Sequence, residues 1–156
     1  METKESCLIL IRGLPGSGKT TLARVICDLF RKMHHVENDM YRLRENGEYS
    51  FDEKDNEFVR ESSLADSSEL LKNGNSVVVS NVFTSADAMR MYTELPYRKI
   101  IIRVTGNYGS VYDIPDDKLT DMVERFEDVA GEIILGDLNA FTISDLRRVI
   151  NGTVVV

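Results

Sequence analysis

At 156 residues the chain has the length of one domain, enough to bury a core without disulfide or metal staples. Its 42% hydrophobic and 29% charged residues exclude a disordered chain. The balance of 19 Lys and Arg against 26 Asp and Glu, net −7, excludes a protein that coats nucleic acid by bulk charge, though a local basic cleft is allowed.

Residues 7–11 (Cys-Leu-Ile-Leu-Ile) form an unbroken apolar run, the pattern of a strand buried on both faces. A glycine-rich turn follows at 13–18. A helix is expected over 19 to about 33, with Leu22, Val25, Ile26, Leu29 and Phe30 at helical spacing, and 35–38 reads as a short second strand. The spacing predicts a long helix over 52–72, with Phe58, Leu64, Leu70 and Leu71 inward and Asn73-Gly74 as its stop. Ser76–Asn81 is a central strand. Ser85 caps a helix to about 94, closed by Pro96, and 99–104 is another buried strand. Residues 105–114, with Gly106, Asn107, Gly109 and Ser110, read as a mobile loop. Pro115 opens a helix to about 128, with Leu119, Met122, Val123 and Phe126 on one face. Short β candidates at 132–135 and 153–156 flank a helix near 144–150.

Strands alternate with helices, the pattern of a parallel sheet wrapped on both sides. No repeat or linker interrupts it. The expectation is one α/β domain over residues 1–156, a three-layer sandwich. Cys7 and Cys27 are too few for a disulfide framework, and with no signal-peptide pattern a reducing cytoplasm is the expected compartment. The longest apolar run is too short for a bilayer, so no membrane partner is expected.

The strongest chemical signal is Gly13-Leu-Pro-Gly-Ser-Gly-Lys-Thr20, a complete G-x-x-x-x-G-K-[ST] phosphate loop between a buried strand and an amphipathic helix. Gly13, Pro15, Gly16, Ser17, Gly18, Lys19, Thr20 and Thr21 form the expected nucleotide cradle. Its backbone N–H groups face phosphate oxygens and the helix N-terminus favours the same anion. Lys19 is expected to reach the β- and γ-phosphates of ATP, and the Thr20 hydroxyl to ligate Mg²⁺. The third strand lacks the Asp-Glu ending of motor ATPases, and no Asn-Lys-x-Asp base-reading segment of GTPases occurs. A kinase is favoured.

Glu37-Asn-Asp-Met-Tyr-Arg42 ends the second strand, where an acceptor faces the γ-phosphate. Asp39 is either a general base for an acceptor hydroxyl or a cap for the following helix. Arg42 is either a bidentate phosphate ligand or a solvated face residue. Tyr41, Tyr49, Phe51 and Phe83 could stack on a base or pack in the core. Arg42 and Arg44, with Arg12, could form a basic mouth. His34-His35 reads as a helix C-terminal dipole partner rather than a catalyst.

The segments Arg12-Gly-Leu-Pro-Gly-Ser-Gly-Lys-Thr-Thr-Leu-Ala-Arg24, Asn38-Asp-Met-Tyr-Arg42 and Ser110-Val-Tyr-Asp-Ile-Pro through Glu127 resemble the kinase domain of polynucleotide 5′-kinases. The resemblance covers about residues 7–128. It implies an adenylate-kinase-like fold with a short lid, ATP and Mg²⁺ as cofactors, Asp39 as general base, Arg42 on the acceptor phosphate, and Lys19 and Thr20 on ATP·Mg²⁺. The implied acceptor is a nucleic-acid hydroxyl, at a 5′ end or on the hydroxymethyl group of a modified pyrimidine. A small-molecule or mononucleotide kinase and a catalytically impaired regulatory domain are the alternatives. The chain departs from that family in two places. Residues 105–110, where lid arginines are usual, hold no arginine, and the third strand ends Asn81-Val-Phe83 in place of Asp-Thr-Asn. Arg103 and Arg125 are the candidate replacements for a lid arginine.

Overall fold

The structure, a computed structural model, describes residues 6–42, 53–109, 114–136 and 142–151. Arg44, Tyr49, Phe51, residue 52 at the expected helix start, the 110–113 part of the loop and the 153–156 strand candidate lie outside the described residues.

Five strands form one sheet: β1 (Cys7–Arg12), β2 (Met33–Glu37), β3 (Ser76–Asn81), β4 (Arg98–Val104) and β5 (Ile133–Leu135). Their order is β2-β3-β1-β4-β5, and every pairing is parallel. β1 is central because it can be: all six of its residues are buried. Its side chains alternate between two cores. Ile9 and Ile11 face α1 (Lys19–Leu29) and α5 (Ile143–Asn151), through Leu22, Ala23 and Ile26 of the first and Leu146, Val149 and Ile150 of the second. Leu8 and Leu10 face the other way, in the core that takes Leu71 of α2 (Asn56–Lys72), Met89, and Tyr92 of α3 (Arg90–Thr93). This is the expected three-layer sandwich. The remaining helix, α4 (Asp116–Arg125), buries none of its residues and lies over the end of the sheet's cleft.

Several local expectations are corrected. The first helix stops at Leu29, and Phe30 is already extended. Lys32 turns the chain at φ 58°, so that Met33 opens β2 and pairs with Ser76. Ladder pairing overrides the helix propensity of residues 30–33. His34 and His35 are therefore strand residues and not a helix terminus. In α2 the buried stripe is Val59, Ser63, Ser67 and Leu71, each four residues on, and Phe58 stands off it, 62% exposed. Val123 of α4 is likewise exposed. Ser85 does cap its turn, accepting from the Ala88 N–H at 3.2 Å.

β1, β2 and β3 all end at the same edge, the place where open parallel sheets carry their ligands. Arg12 leads into the loop 13–18, Glu37 into a 3₁₀ turn over Asn38–Tyr41, and Asn81 into Val82-Phe83.

Candidate active site

The loop after β1 has the backbone its glycines permit. Gly16 and Gly18 lie at φ 77° and 99°, in the left-handed region. At Gly13 a Cβ would come within 2.6 Å of the Val104 carbonyl oxygen and 2.5 Å of Ser17 Oγ, so only glycine fits. Gly18 ends the loop without a side-chain cap on α1, and no acidic residue occupies the first turn. The first N–H groups of α1 are left for an anion. Lys19 Nζ donates to the carbonyls of Gly13 and Leu14 at 2.9 and 3.0 Å, which holds its ammonium across the loop. Burial pushes the Lys19 pKa down to about 8, with Asp39 and Glu37 pulling it part of the way back.

Thr20 Oγ1 donates to Glu37 Oε2 at 2.9 Å. Glu37 is buried at the end of β2, and Ser80 Oγ donates to the same oxygen at 3.1 Å. His35 Nε2 lies 3.4 Å from that oxygen and 2.6 Å from Ser80 Oγ. Burial alone would raise the Glu37 pKa; the contacts with His35, Thr20 and Ser80 outweigh it and hold the group below the usual carboxylate range.

One residue further, the chain turns into the 3₁₀ segment, and both Asp39 and Arg42 line the cleft. Arg42 is 8% exposed and donates to Asn56 Oδ1 of α2, so it is a built-in wall residue and not a solvated one. Arg60, one turn along α2 from Asn56, lines the same wall. Asn38 sits between strands: its N–H donates to Asn81 Oδ1 at 2.7 Å, and its side-chain oxygen accepts from Ser63 Oγ at 2.8 Å. The buried Ser63 of α2 thus serves the turn, while Ser67 donates back to the Ser63 carbonyl at 2.7 Å.

The cleft has a volume of about 850 Å³. Pro15, Gly16, Gly18, Lys19, Thr20 and Thr21 form its floor, and Lys118, Asp121, Met122 and Arg125 of α4 its far wall. Gly13 and Ser17 do not line it; they brace the loop from beneath, with Ser17 1% exposed. Tyr108 also lines the cleft, and its N–H donates to the Gly16 carbonyl at 2.7 Å, tying the segment after β4 onto the phosphate loop.

Two arginines lie elsewhere than the sequence suggested. Arg12 is fully buried and takes no part in a basic mouth. Its guanidinium donates to Phe83 O at 2.9 Å, Glu127 O at 2.7 Å and Glu132 Oε2 at 2.5 Å, and stacks 4.3 Å from the Phe126 ring centre. Arg103 stacks at 4.8 Å from the same ring and pairs with Asp128 and Glu132, outside the cleft. Arg125 is in the cleft, paired with Asp121 at 2.5 Å. Phe83 lines the cleft while packing edge-on against Tyr92, and Tyr41, which donates to Asp66, packs on the second core outside the cleft. The sequence reading passed over Glu37, Asn56, Arg60 and Lys118. The i, i+4 spacing of Asn56 and Arg60 on a helix facing the second strand was the available signal for one pair.

Residues 8–102 match the family described as AAA domain (AAA_33). The chain belongs to that family. Similar solved structures include a chain of the Pnkp1/Rnl/Hen1 complex, at 26% identity and TM-score 0.54, matched over 78% of this chain and 40% of that one. A sugar kinase from Janibacter sp. HTCC2649 shares the fold at 15% identity and TM-score 0.63, over 96% and 92% of the two chains. So does the APS kinase CysC of Mycobacterium tuberculosis, in complex with AMPPNP and APS, at 14% and 0.58, over 92% and 93%. The AAA-family chain therefore spans less than half of the polypeptide it matches in the Pnkp1/Rnl/Hen1 complex and nearly the whole of the two small-molecule kinases. Together these show an α/β fold like that of P-loop kinases.

The residues of this AAA-family domain fit a magnesium-bound polyphosphate. A loop that admits no Cβ at Gly13, an uncapped helix start and a lysine ammonium held at its mouth suit the anion. A threonine hydroxyl that already gives its proton to a carboxylate suits a hard cation, since its lone pairs remain for the metal. No helix among the described residues is long and apolar enough to cross a membrane.

Proposed function

We propose that this domain is an ATP- and Mg²⁺-dependent phosphotransferase that moves the γ-phosphate to a hydroxyl on nucleic acid. The observation that carries the reading is the shared cleft: Lys19 and Thr20 form its floor, with Asp39 and Arg42 in the wall at the end of β2.

The roles follow from chemistry. The loop 13–18 and Lys19 bind and orient the donor phosphates, and Thr20 holds the cation. Magnesium, when bound, neutralises charge on the β- and γ-phosphates. Asp39 accepts the proton of the acceptor hydroxyl as that oxygen bonds to the γ-phosphorus. The bond from this phosphorus to the bridging oxygen breaks, and ADP leaves. Arg42, fixed by Asn56, grips a phosphate next to the acceptor hydroxyl; a planar fork held in one orientation suits bidentate recognition. Arg60 extends that wall for a polyanion.

The nucleic-acid acceptor is supported by the Asp39-x-x-Arg42 match to polynucleotide 5′-kinases and by the 26% identity to a chain of the Pnkp1/Rnl/Hen1 complex. A small-molecule acceptor is the second reading, favoured by the near-complete coverage of a sugar kinase and an APS kinase. The test supplies γ-labelled ATP with a 5′-hydroxyl oligonucleotide, a hydroxymethylpyrimidine duplex, nucleosides and sugars, and no acceptor. Label on either polymer is the expected outcome, and the two polymers separate an end hydroxyl from a base hydroxyl. Label on monomers alone replaces it with the second reading. Nucleotide binding without transfer to any acceptor would make the domain a regulatory one.

A further inference from the structure

We infer that Glu37 is the acid that secures the divalent cation, acting as a positioning residue through Thr20 from the end of β2. This rests on the Mg²⁺·ATP reading above. A hydroxyl that ligates a cation must hand its proton to some other acceptor, and a carboxylate in that place both fixes the hydroxyl and adds negative charge behind the metal. Thr20 Oγ1 donates to Glu37 Oε2 at 2.9 Å.

The usual alternative source of that charge, the end of the strand next to β1, is absent. β3 ends in Asn81, an amide whose side-chain oxygen already accepts the Asn38 N–H at 2.7 Å. β2 is the next strand out, hydrogen-bonded to β3, and Glu37 is paired in register with Ser80. A glutamate there has the length to reach back across one strand to Thr20, and the Ser80 hydroxyl bonds to it on the way at 3.1 Å. The environment is built for this carboxylate: it is 8% exposed, with two hydroxyls and an imidazole nitrogen around one oxygen. Glu37 does not line the cleft, and among the described residues no group of three His, Cys, Asp or Glu side chains could hold a metal. A cation here would be held by phosphate oxygens and water together with Thr20, the arrangement magnesium favours, and Glu37 sets the orientation of the Thr20 hydroxyl.

Calorimetric titration with AMPPNP, with Mg²⁺ and with EDTA, tests this on the wild type, Glu37→Gln and Glu37→Asp. The wild type should bind more tightly with Mg²⁺; no gain there would remove the Mg²⁺·ATP reading itself. Glu37→Gln should bind in EDTA as the wild type does, yet lose about 10- to 100-fold of the Mg²⁺-dependent gain. Mn²⁺ electron paramagnetic resonance should show the same loss of cation affinity in the nucleotide complex. Glu37→Asp keeps the charge but draws it back by one methylene, and should lose part of the gain. A merely structural role would weaken EDTA and Mg²⁺ binding alike. Full retention of the Mg²⁺ gain in Glu37→Gln overturns the inference. Should Glu37→Gln fail to fold, a wild-type gain in Glu37→Asp overturns it and a reduced gain supports it.

Discussion

Lys19 loses its proton near pH 8 in the folded protein and at 10.5 in the unfolded chain. Only the protonated form attracts phosphate, so AMPPNP affinity should be level below pH 8 and fall above it, by up to tenfold per pH unit. Titration at pH 7, 8 and 9 checks this, and a flat profile would mean that the ammonium does not meet the anion. The stability sign follows the same pair of values. Between pH 8 and 10.5 the unfolded chain holds the extra proton, so the stability of the free protein rises with pH. The stability advantage of Lys19→Met over the wild type should therefore shrink across that window in urea unfolding. Asp39 and Arg42 report on different steps. Asp39→Asn should lower kcat by about 10²- to 10⁴-fold with AMPPNP affinity unchanged. Arg42→Ala should mainly raise KM for a phosphate-bearing acceptor and spare a nucleoside. Equal impairment of both acceptors would discard the polymer-phosphate role.

At the scale of elements, α4 and the segment after β4 are the parts that face the cleft without being buried in either core. With no arginine in residues 105–115, the cations on the far wall are Lys118 and Arg125. Arg125→Ala should reduce kcat by about 10²-fold, the usual cost of removing one donor to the transferring group, and leave thermal stability unchanged. Arg103→Ala should do the reverse, because Arg103 pairs with Asp128 and Glu132 behind Phe126. The strand–loop–helix start was legible in the sequence because its signals are local: an apolar run, fixed glycines and an amphipathic repeat. The buried face of α2 was not. Its stripe holds Ser63 and Ser67, which hydrogen-bond within the fold, while Phe58 is left to solvent. Hydrophobic periodicity reads apolar side chains and is blind to a core-facing serine. Asp39 and Arg42 could be found by spacing within one segment. Glu37 could not be tied to Thr20 without knowing that β2 lies beside β3.

For the molecule as a whole, Arg12 is the residue through which distant parts meet. Its guanidinium touches the turn after β3, the residue pair after α4 and the start of β5, up to 120 positions away along the chain. No local pattern could announce this, and an arginine beside a phosphate loop invites a surface reading. Arg12→Met should destabilise the fold by about 3–5 kcal/mol, since Glu132 loses its closest partner while staying buried. The melting temperature should drop by roughly 10 °C. A neutral result would mean that Arg103 alone satisfies that carboxylate.

The same anchorage makes α4 a lever with its fulcrum at one end. Phe126 is held by two guanidinium groups, and the next residue is bonded to Arg12 and to the Thr84 carbonyl. The opposite end, at Pro115 and Asp116, is exposed. Ten residues of helix measure about 15 Å, so a swing of about 10° about Phe126 would carry the Pro115 end through roughly 3 Å while Arg125 hardly moves. Nucleotide capture would then displace Lys118 more than Arg125, sorting the two cations into one that travels to the phosphates and one that waits for them. Spin labels at Asp117 and Glu124, each measured against Arg24 on α1, should show the larger AMPPNP-induced shift at Asp117.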